Sequence, residues 1–162
     1  MTFAISSPQL LSGNHDVGDF DCGEPLLNDW LKRRALANQS SGASRTFVVV
    51  DSHQHVMGYY ALAAGAVAHR DSTGAVRRNM PDPIPAMVLA RLAVDRSAQG
   101  KQLGVALLRD AVLRVLAVSE NAGVRALLVH ALHEKAKTFY RHYGFEESPA
   151  NPMALMLRLP HS

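Results

Sequence analysis

The sequence has a single cysteine, Cys22, and no long hydrophobic run. One cysteine cannot form an internal disulfide, and such sparse use fits a reducing cytoplasm. Cys22 itself suits either a nucleophile or a small packing side chain. Apolar runs such as 87–90 and 126–129 are far too short to span a bilayer. The first residues lack a charged segment followed by an apolar one, so we expect neither a signal peptide nor membrane insertion.

Several well-known site patterns are also missing. The sequence contains no Gly-Lys-Ser/Thr and no Gly-x-Gly-x-x-Gly, which excludes a Walker A loop and the dinucleotide-binding fingerprint. Only His53 and His55 have a spacing that suggests metal ligands, and their place in a predicted hairpin favours solvated side chains. We therefore expect no metal. No nucleophile elbow and no common nucleic-acid-binding motif is present.

Length and composition favour one globular domain over residues 1–162. Apolar residues make up 48% of the chain and charged residues 19%, enough for a core and too little charge for disorder. The 17 basic and 14 acidic residues give a net charge of +3. With so mild an excess, the position of the basic residues matters more than their sum.

Hydrophobic periodicity predicts strands and helices mixed along the chain. Helices are predicted over 24–38, from the turn at 95–100 to about 121, and over 134–142; strands over 47–51, 56–69, 87–94, 125–130 and 153–159; and a loop over 70–85. Gly58 and Gly65 inside a strand indicate a bulge or close backbone approach. Early hairpins and a later helical crossover predict an α/β (α+β) fold, a mixed, mostly antiparallel twisted sheet with helices on both faces. The crossover makes strands 87–94 and 125–130 parallel neighbours.

The strand at 87–94, the polar turn at 95–100 and the helix after it form a candidate anion site. Free N–H groups and the helix dipole at a helix N-terminus both attract negative charge. The turn resembles the pyrophosphate loop of the GNAT acetyltransferases, whose pattern Gln/Arg-x-x-Gly-x-Gly/Ala follows a strand and binds coenzyme A. Gln99 and Gly104 match this pattern. Gln102 replaces the first glycine, so we expect its side chain to crowd the phosphates.

The resemblance implies acetyl-CoA as cofactor. It also implies a set of cofactor-binding residues on the strand, on the loop and at the end of the next strand: Leu92, Ala93, Val94, Gln99, Gly100, Lys101, Gln102, Leu103, Gly104, Val105, His130 and Ala131.

Residues 136–145 resemble a second GNAT motif, Ala-x-x-Phe-Tyr-x-x-x-Gly-Phe. Tyr140 occupies the position that in many family members protonates the departing coenzyme A thiolate. A phenol with a pKa of about 10 can hydrogen-bond and protonate a nascent thiolate whose thiol has a pKa of about 8.5. The resemblance thus implies that Tyr140 is catalytic, whereas packing alone explains Phe139. Tyr140 as a plain core aromatic is the alternative.

The flanking segments 20–31, 77–95, 129–132 and 151–156 resemble the GNAT toxins of bacterial type II toxin–antitoxin systems, the TacT/KacT/AtaT group. This resemblance covers almost the whole chain. It implies an N-acetyltransferase that modifies the α-amino group of aminoacyl-tRNA and so stops translation. It also implies a cytoplasmic homodimer, a ribbon-helix-helix antitoxin as partner, and contact with DNA only through the antitoxin complex.

The chemistry of an α-amine acceptor agrees with this expectation. An α-amino group has a pKa near 8, against about 10.4 for lysine, so part of it is neutral at pH 7 and needs no strong base. Glu134 is the nearest candidate base, and a helix N-terminal charge explains it equally well. Candidate tRNA phosphate contacts, each equally readable as solvated surface charge, are Arg77 and Arg78 in the Pro-rich loop and Lys32, Arg33 and Arg34 on the first helix.

Two other functions stay open at this point. The protein could be an N-acetyltransferase for a small amine or a protein N-terminus, although the Arg-rich loop argues against a polyamine. It could also be a catalytically weak module that acts as a corepressor with its antitoxin, which the Gln102 departure favours.

Overall fold

The computed structural model describes residues 4–160, so residues 1–3 and 161–162 of the predicted domain lie outside it. The described strands are β1 Gln9–Leu10, β2 Arg45–Val50, β3 Val56–Val67, β4 Ile84–Val94, β5 Ala126–His130, β6 Glu146–Glu147 and β7 Ala154–Arg158. The helices are α1 Pro25–Arg33, α2 Ala35–Ser41, α3 Gly74–Arg77, α4 Leu103–Ser119 and α5 Glu134–His142. None of the helices in this part of the chain has the length and hydropathy to cross a membrane.

The strands form one mixed sheet in the order β1-β2-β3-β4-β5-β7-β6, which confirms the expected fold class. Strands β4 and β5 are parallel neighbours, with Ala86 opposite Ala126 and Leu89 opposite Val129. This pairing confirms the prediction from the helical crossover, since α4 connects the two strands. Strand β4 then continues to Val94, past the last residue that has a β5 partner.

By its packing the chain forms two compact units, between which it passes within β3, β4 and α4. The first unit contains the described residues up to 63 together with Ala90–Ala111, and the second contains Ala64–Leu89 and the described residues from Val112 onward. In the first, a core cluster includes Phe20, Leu31, Val48 and Tyr59. In the second, the cluster consists of Val76, Ile84, Ala126 and Met156.

The predicted helix over 24–38 is wrong in its extent, because the chain breaks at Arg34. Arg34 has φ −120° and ψ −31°, and it ends α1 by donating its N–H to the Trp30 carbonyl at 2.9 Å. Leu31 and Ala35 nevertheless keep helical spacing and pack in one core cluster. Periodicity alone therefore could not reveal the break.

The stretch predicted as a loop over 70–85 contains helix α3 and the start of β4 at Ile84. Two buried side chains explain this local order, Val76 at 1% exposure and Ile84 at 0%. The guanidinium of Arg125 also donates to the carbonyls of Val76 at 3.0 Å and Ala75 at 2.9 Å. Because Arg125 lies far along the sequence, these bonds could not be predicted locally.

Both strand glycines lie where space is short, as predicted. A Cβ on Gly58 would lie 3.0 Å from Leu107 Cδ1, and the β2–β3 register shifts beside it, between Val49 and Val50. A Cβ on Gly65 would lie 2.6 Å from Val88 Cγ2. The glycines thus allow close approach of Leu107 on helix α4 and of Val88 on strand β4.

Candidate active site

The predicted anion-binding loop lies between β4 and α4 in the first unit. Strand β4 ends at Val94, and a short 3₁₀ turn follows at Arg96–Ala98. The Asp95 carboxylate caps this turn by accepting the N–H of Ser97 at 3.0 Å. Ala98 is fully buried and fixes the turn against the protein. The loop residues that follow are therefore supported on their N-terminal side.

The backbone turns through two left-handed residues before the helix begins. Gly100 has φ +79° and Gln102 has φ +61°. A glycine adopts this conformation freely, whereas a residue with a Cβ pays about 1–2 kcal/mol. This explains why a glycine suits position 102, a backbone reason in addition to the expected crowding. The Gln102 carbonyl then accepts the Ala106 N–H at 3.2 Å and starts α4.

The N-terminus of α4 suits a diphosphate. The helix is 17 residues long, so its aligned peptide dipoles place partial positive charge at Leu103–Val105. The first N–H groups of any helix have no partner within the helix and can bind phosphate oxygens. Lys101 and Gln102 are exposed at this end. The loop is therefore compatible with the pyrophosphate of coenzyme A.

The other expected cofactor residues differ in exposure. On β4, Ala93 is buried in the core while Leu92 and Val94 are half-buried. At the end of β5, His130 is exposed and Ala131 is buried. The Ala131 N–H donates to the Met153 carbonyl at 2.8 Å, so this donor is already used within the protein.

Tyr140 lies on α5 in the second unit, and the structure explains the motif around it. The helix runs over Glu134–His142 as predicted, capped by the His133 side chain, which accepts the Ala136 N–H at 3.1 Å. Gly144 has φ +97° and turns the chain back, so that the Phe145 N–H donates to the Tyr140 carbonyl at 3.1 Å. The rings of Tyr140 and Phe145 then meet edge to face at 5.5 Å.

The side chain of Tyr140 has the properties of a proton donor. The residue is 6% exposed, and burial raises its pKa above the usual value for tyrosine. Its hydroxyl is therefore protonated at neutral pH. Within residues 4–160 no group hydrogen-bonds to this hydroxyl, so it can donate to a substrate atom.

Two other candidate residues, Cys22 and Glu134, have structural roles. Burial raises the pKa of the half-buried Cys22 thiol, which disfavours the thiolate and leaves packing as its role. Glu134 is exposed in the first turn of α5, where a negative charge stabilises the helix. In residues 4–160, no group of three His, Cys, Asp or Glu side chains could hold a metal.

The two basic clusters belong to different units. Arg77 and Arg78 are exposed at the end of α3, and Arg77 Nη1 donates to the Ser72 carbonyl at 2.9 Å. Lys32, Arg33 and Arg34 are exposed at the end of α1. Each cluster places positive charge at the surface, as expected for either phosphate contacts or solvated side chains.

The fold and these two motifs define a class of protein, and comparison with known families identifies it. A family model described as "Acetyltransferase (GNAT) domain" matches residues 43–147, about two thirds of the chain. The chain belongs to the GNAT acetyltransferase family, in the branch that contains the tRNA-acetylating toxins.

Relatives and solved structures define that branch. The chain is 53% identical to the "tRNA-acetylating toxin" of Mycobacterium tuberculosis over 94% of its length and 91% of the relative's. It is similar to AtaT complexed with acetyl-methionyl-tRNAfMet, with TM-score 0.88, 30% identity, and coverage of 96% and 95%. It is also similar to an AtaT mutant bound to acetyl-CoA and the C-terminus of the antitoxin AtaR, with TM-score 0.81, 30% identity, and coverage of 95% and 92%. A DNA-bound AtaT–AtaR complex matches with TM-score 0.77, 31% identity and 94% coverage of each chain.

Proposed function

We propose that this protein is the toxin of a type II toxin–antitoxin system that transfers acetyl from acetyl-CoA to the α-amino group of aminoacyl-tRNA. The observation that supports this most directly is 53% identity to a tRNA-acetylating toxin over nearly the full length of both chains. The anion-binding loop before α4 and the buried, protonated Tyr140 are the chemical features such a transfer needs. Acetylation of the amine blocks translation, because that amine is the nucleophile in peptide-bond formation.

Most of the proposed cofactor contacts lie in the first unit. The N–H groups of Leu103, Gly104 and Val105 and the dipole of α4 bind the pyrophosphate, together with Gly100–Gln102. Gln99 supports this loop through its side-chain amide. Leu92–Val94, on the part of β4 beyond its last β5 pair, offer backbone groups to the amide-containing arm of coenzyme A. Val94 does so through groups other than its carbonyl, which accepts the Gln99 amide. His130 and Ala131 are further proposed cofactor contacts at the end of β5. Ala131 makes its contact through atoms other than its N–H, which donates to the Met153 carbonyl.

The chemistry needs one proton donor and no strong base. When bound, acetyl-CoA supplies the acetyl group as a thioester. The α-amine, with a pKa near 8, is partly neutral at pH 7 and attacks without general-base help. Tyr140 donates its hydroxyl proton to the departing sulfur and is reprotonated from solvent. Overall a C–N bond forms, a C–S bond breaks, and one proton moves from the amine to the thiol.

The proposal also assigns the surface that binds the tRNA acceptor and the partner proteins. Arg77 and Arg78, and Lys32 and Arg33, contact tRNA phosphates. A ribbon-helix-helix antitoxin covers the toxin and mediates its contact with DNA, as the complexes of AtaT with AtaR suggest. The proposal places the enzyme in the cytoplasm, where aminoacyl-tRNA occurs, and as a homodimer, which sedimentation analysis can test.

A transfer experiment with labelled acetyl-CoA tests the function. We expect the purified protein to label bulk aminoacyl-tRNA and to leave deacylated tRNA unlabelled, since only the charged form has the amine. Equal amounts of a polyamine and of a peptide with a free N-terminus serve as competing acceptors. Label on these acceptors with none on aminoacyl-tRNA would favour the small-amine or protein acetyltransferase. Absence of both transfer and acetyl-CoA binding would favour the corepressor.

A further inference from the structure

A hydrogen-bond network in the first unit holds the base of the proposed pyrophosphate loop. The side-chain amide of Gln99 donates to two backbone carbonyls, that of Val94 at 2.9 Å and that of Cys22 at 3.0 Å. Gln99 therefore connects the end of β4 to the segment that precedes α1. Gln99 is an exposed residue, and both N–H donors of its side-chain amide form hydrogen bonds within the chain. These donors are therefore unavailable to a ligand.

A second set of bonds joins the same two segments. The Asp95 carboxylate accepts the Asp21 N–H at 2.9 Å, and the Arg96 N–H donates to the Asp21 carbonyl at 2.8 Å. The Arg96 Nε also lies 3.6 Å from the Asp21 carboxylate. Asp21 thus contacts both residues that begin the turn after β4.

The segment that receives these bonds is itself fixed locally. The Asp21 carboxylate accepts the Gly23 N–H at 2.9 Å and the Asn28 amide at 3.0 Å, and the Asn28 oxygen accepts the Cys22 N–H at 2.9 Å. These bonds, first that from Gly23 and then that from Asn28, lower the pKa of Asp21 below its usual value. Asp21 is therefore ionised at neutral pH, and its carboxylate accepts the Gly23 N–H and the Asn28 amide.

We propose that Gln99 is a positioning residue for cofactor binding, which fixes the loop so that its N–H groups meet the pyrophosphate, with Asp21 as its support. This inference rests on the proposed function, because it assumes that coenzyme A binds this loop. The residues between Gln99 and α4 include two left-handed positions, Gly100 and Gln102, which a loop without external support does not keep. Helix α4 fixes the C-terminal end of the loop, and the Gln99 amide fixes the N-terminal end.

A comparison of acetyl donors with and without a pyrophosphate distinguishes this positioning role from a general effect on stability. The isosteric change Gln99→Glu replaces the NH2 group, and with it both N–H donors, with a single oxygen that faces the Cys22 and Val94 carbonyls. Gln99→Arg keeps a side chain with several donors and serves as the rescue variant. Asp21→Ala weakens the network from the other side, and Asp29→Asn is the control, an exposed acidic residue on α1 outside the network.

We expect Gln99→Glu to lower kcat/KM for acetyl-CoA about 10- to 100-fold, the scale of a small misplacement of a binding group. The loss should lie in KM, and kcat/KM for S-acetylpantetheine, which has no pyrophosphate, should be unchanged. Asp21→Ala should show the same selectivity to a smaller degree, Gln99→Arg should recover most of the wild-type value, and Asp29→Asn should match wild type.

Two results would overturn the inference. One is an equal loss of kcat/KM for both acetyl donors in Gln99→Glu and Asp21→Ala, which would mean general destabilisation. The other is a wild-type kcat/KM for acetyl-CoA in both variants. Calorimetry with coenzyme A keeps the two proposals separate: a wild-type protein that binds coenzyme A but does not acetylate aminoacyl-tRNA contradicts the proposed function, and Gln99 is then tested by the affinity for coenzyme A alone.

Discussion

At the scale of single residues, Tyr140 combines burial with a hydroxyl to which none of the described residues hydrogen-bonds. Its ring packs against Phe139 and Phe145, with centroid distances of 5.3 Å and 5.5 Å, so the fold holds it without using the hydroxyl. This separation of packing from chemistry allows a clean test by removing one oxygen atom.

We expect Tyr140→Phe to keep the fold and the affinity for acetyl-CoA while acetyl transfer falls about 10²- to 10⁴-fold, the usual loss for a general acid. Melting temperature and calorimetric affinity serve as controls in the same preparation. Turnover close to wild type would remove Tyr140 from the mechanism and leave it a core aromatic.

The pKa of Tyr140 also predicts the pH dependence. From about pH 6 to pH 8, kcat/KM should rise as the α-amine of the acceptor, with a pKa near 8, loses its proton. Because burial raises the pKa of Tyr140, its ionisation should cause no fall in rate up to about pH 10. A descending limb near pH 9 in wild type that is absent in Tyr140→Phe would contradict this reading.

Gln102 is the residue that departs from the family pattern, and its left-handed φ of +61° makes the departure costly. We expect Gln102→Gly to tighten acetyl-CoA binding several-fold, because the side chain no longer crowds the phosphates. Gln102→Ala shortens the side chain but keeps the Cβ, so it separates crowding from backbone strain. Equal calorimetric affinity in Gln102→Gly would show that the loop tolerates Gln102, and weaker affinity would show that it uses the Gln102 amide as a donor.

At the scale of elements, the two glycines of β3 show how closely this strand is packed. Gly65 faces Val88 of β4, and Val88 is β-branched and therefore stiff at χ1.

We expect Gly65→Ala to destabilise the protein by about 1–3 kcal/mol, because the new Cβ, only 2.6 Å from Val88 Cγ2, must displace that side chain. Chemical denaturation measures the change. Gly123→Ala is the matched control, since nothing lies within 4 Å of its added Cβ. Equal denaturation midpoints for the two variants would mean that the strand accommodates the new Cβ without loss of stability.

At the scale of the whole molecule, the size of the acceptor decides which surface charges matter. A tRNA is a polyanion far larger than the amine that reacts, so phosphate contacts supply much of its affinity and depend on salt. A small amine requires no such contacts. Charge reversal and ionic strength therefore separate the two classes of acceptor.

We expect the double variant Arg77→Glu and Arg78→Glu to transfer acetyl to aminoacyl-tRNA at least tenfold more slowly, with coenzyme A binding unchanged. Raising salt should reproduce the effect in wild type. The matched control reverses two other exposed charges, Arg70 and Arg109. If the double variant acts like wild type at moderate salt, Arg77 and Arg78 do not contact tRNA; a wild type without salt dependence would favour the small-amine acceptor.

Some features of this protein could be derived from the sequence because they depend on neighbours along the chain. The bounds of α5 follow from residues 134–142 alone, and the parallel pairing of β4 and β5 follows from the crossover between them. The loop at Gln99–Gly104 and the stretch around Tyr140 were visible as motifs, since their residue types and spacing are local. Both motifs indicated the GNAT family, which the match over residues 43–147 confirms.

Other features were decided only by the tertiary structure, because they depend on groups distant in sequence. Strand β6 consists of two glutamates with low strand propensity, and it exists through its pairing with Met156 and Leu155 of β7. Helix α3 is held by Arg125, whose sequence position is about 50 residues away. The hydrogen bond from the Gln99 amide to the Cys22 carbonyl likewise joins residues 77 positions apart. Hydrophobic periodicity reports which side chains face a core, but it contains no information about which backbone carbonyl a distant polar side chain meets.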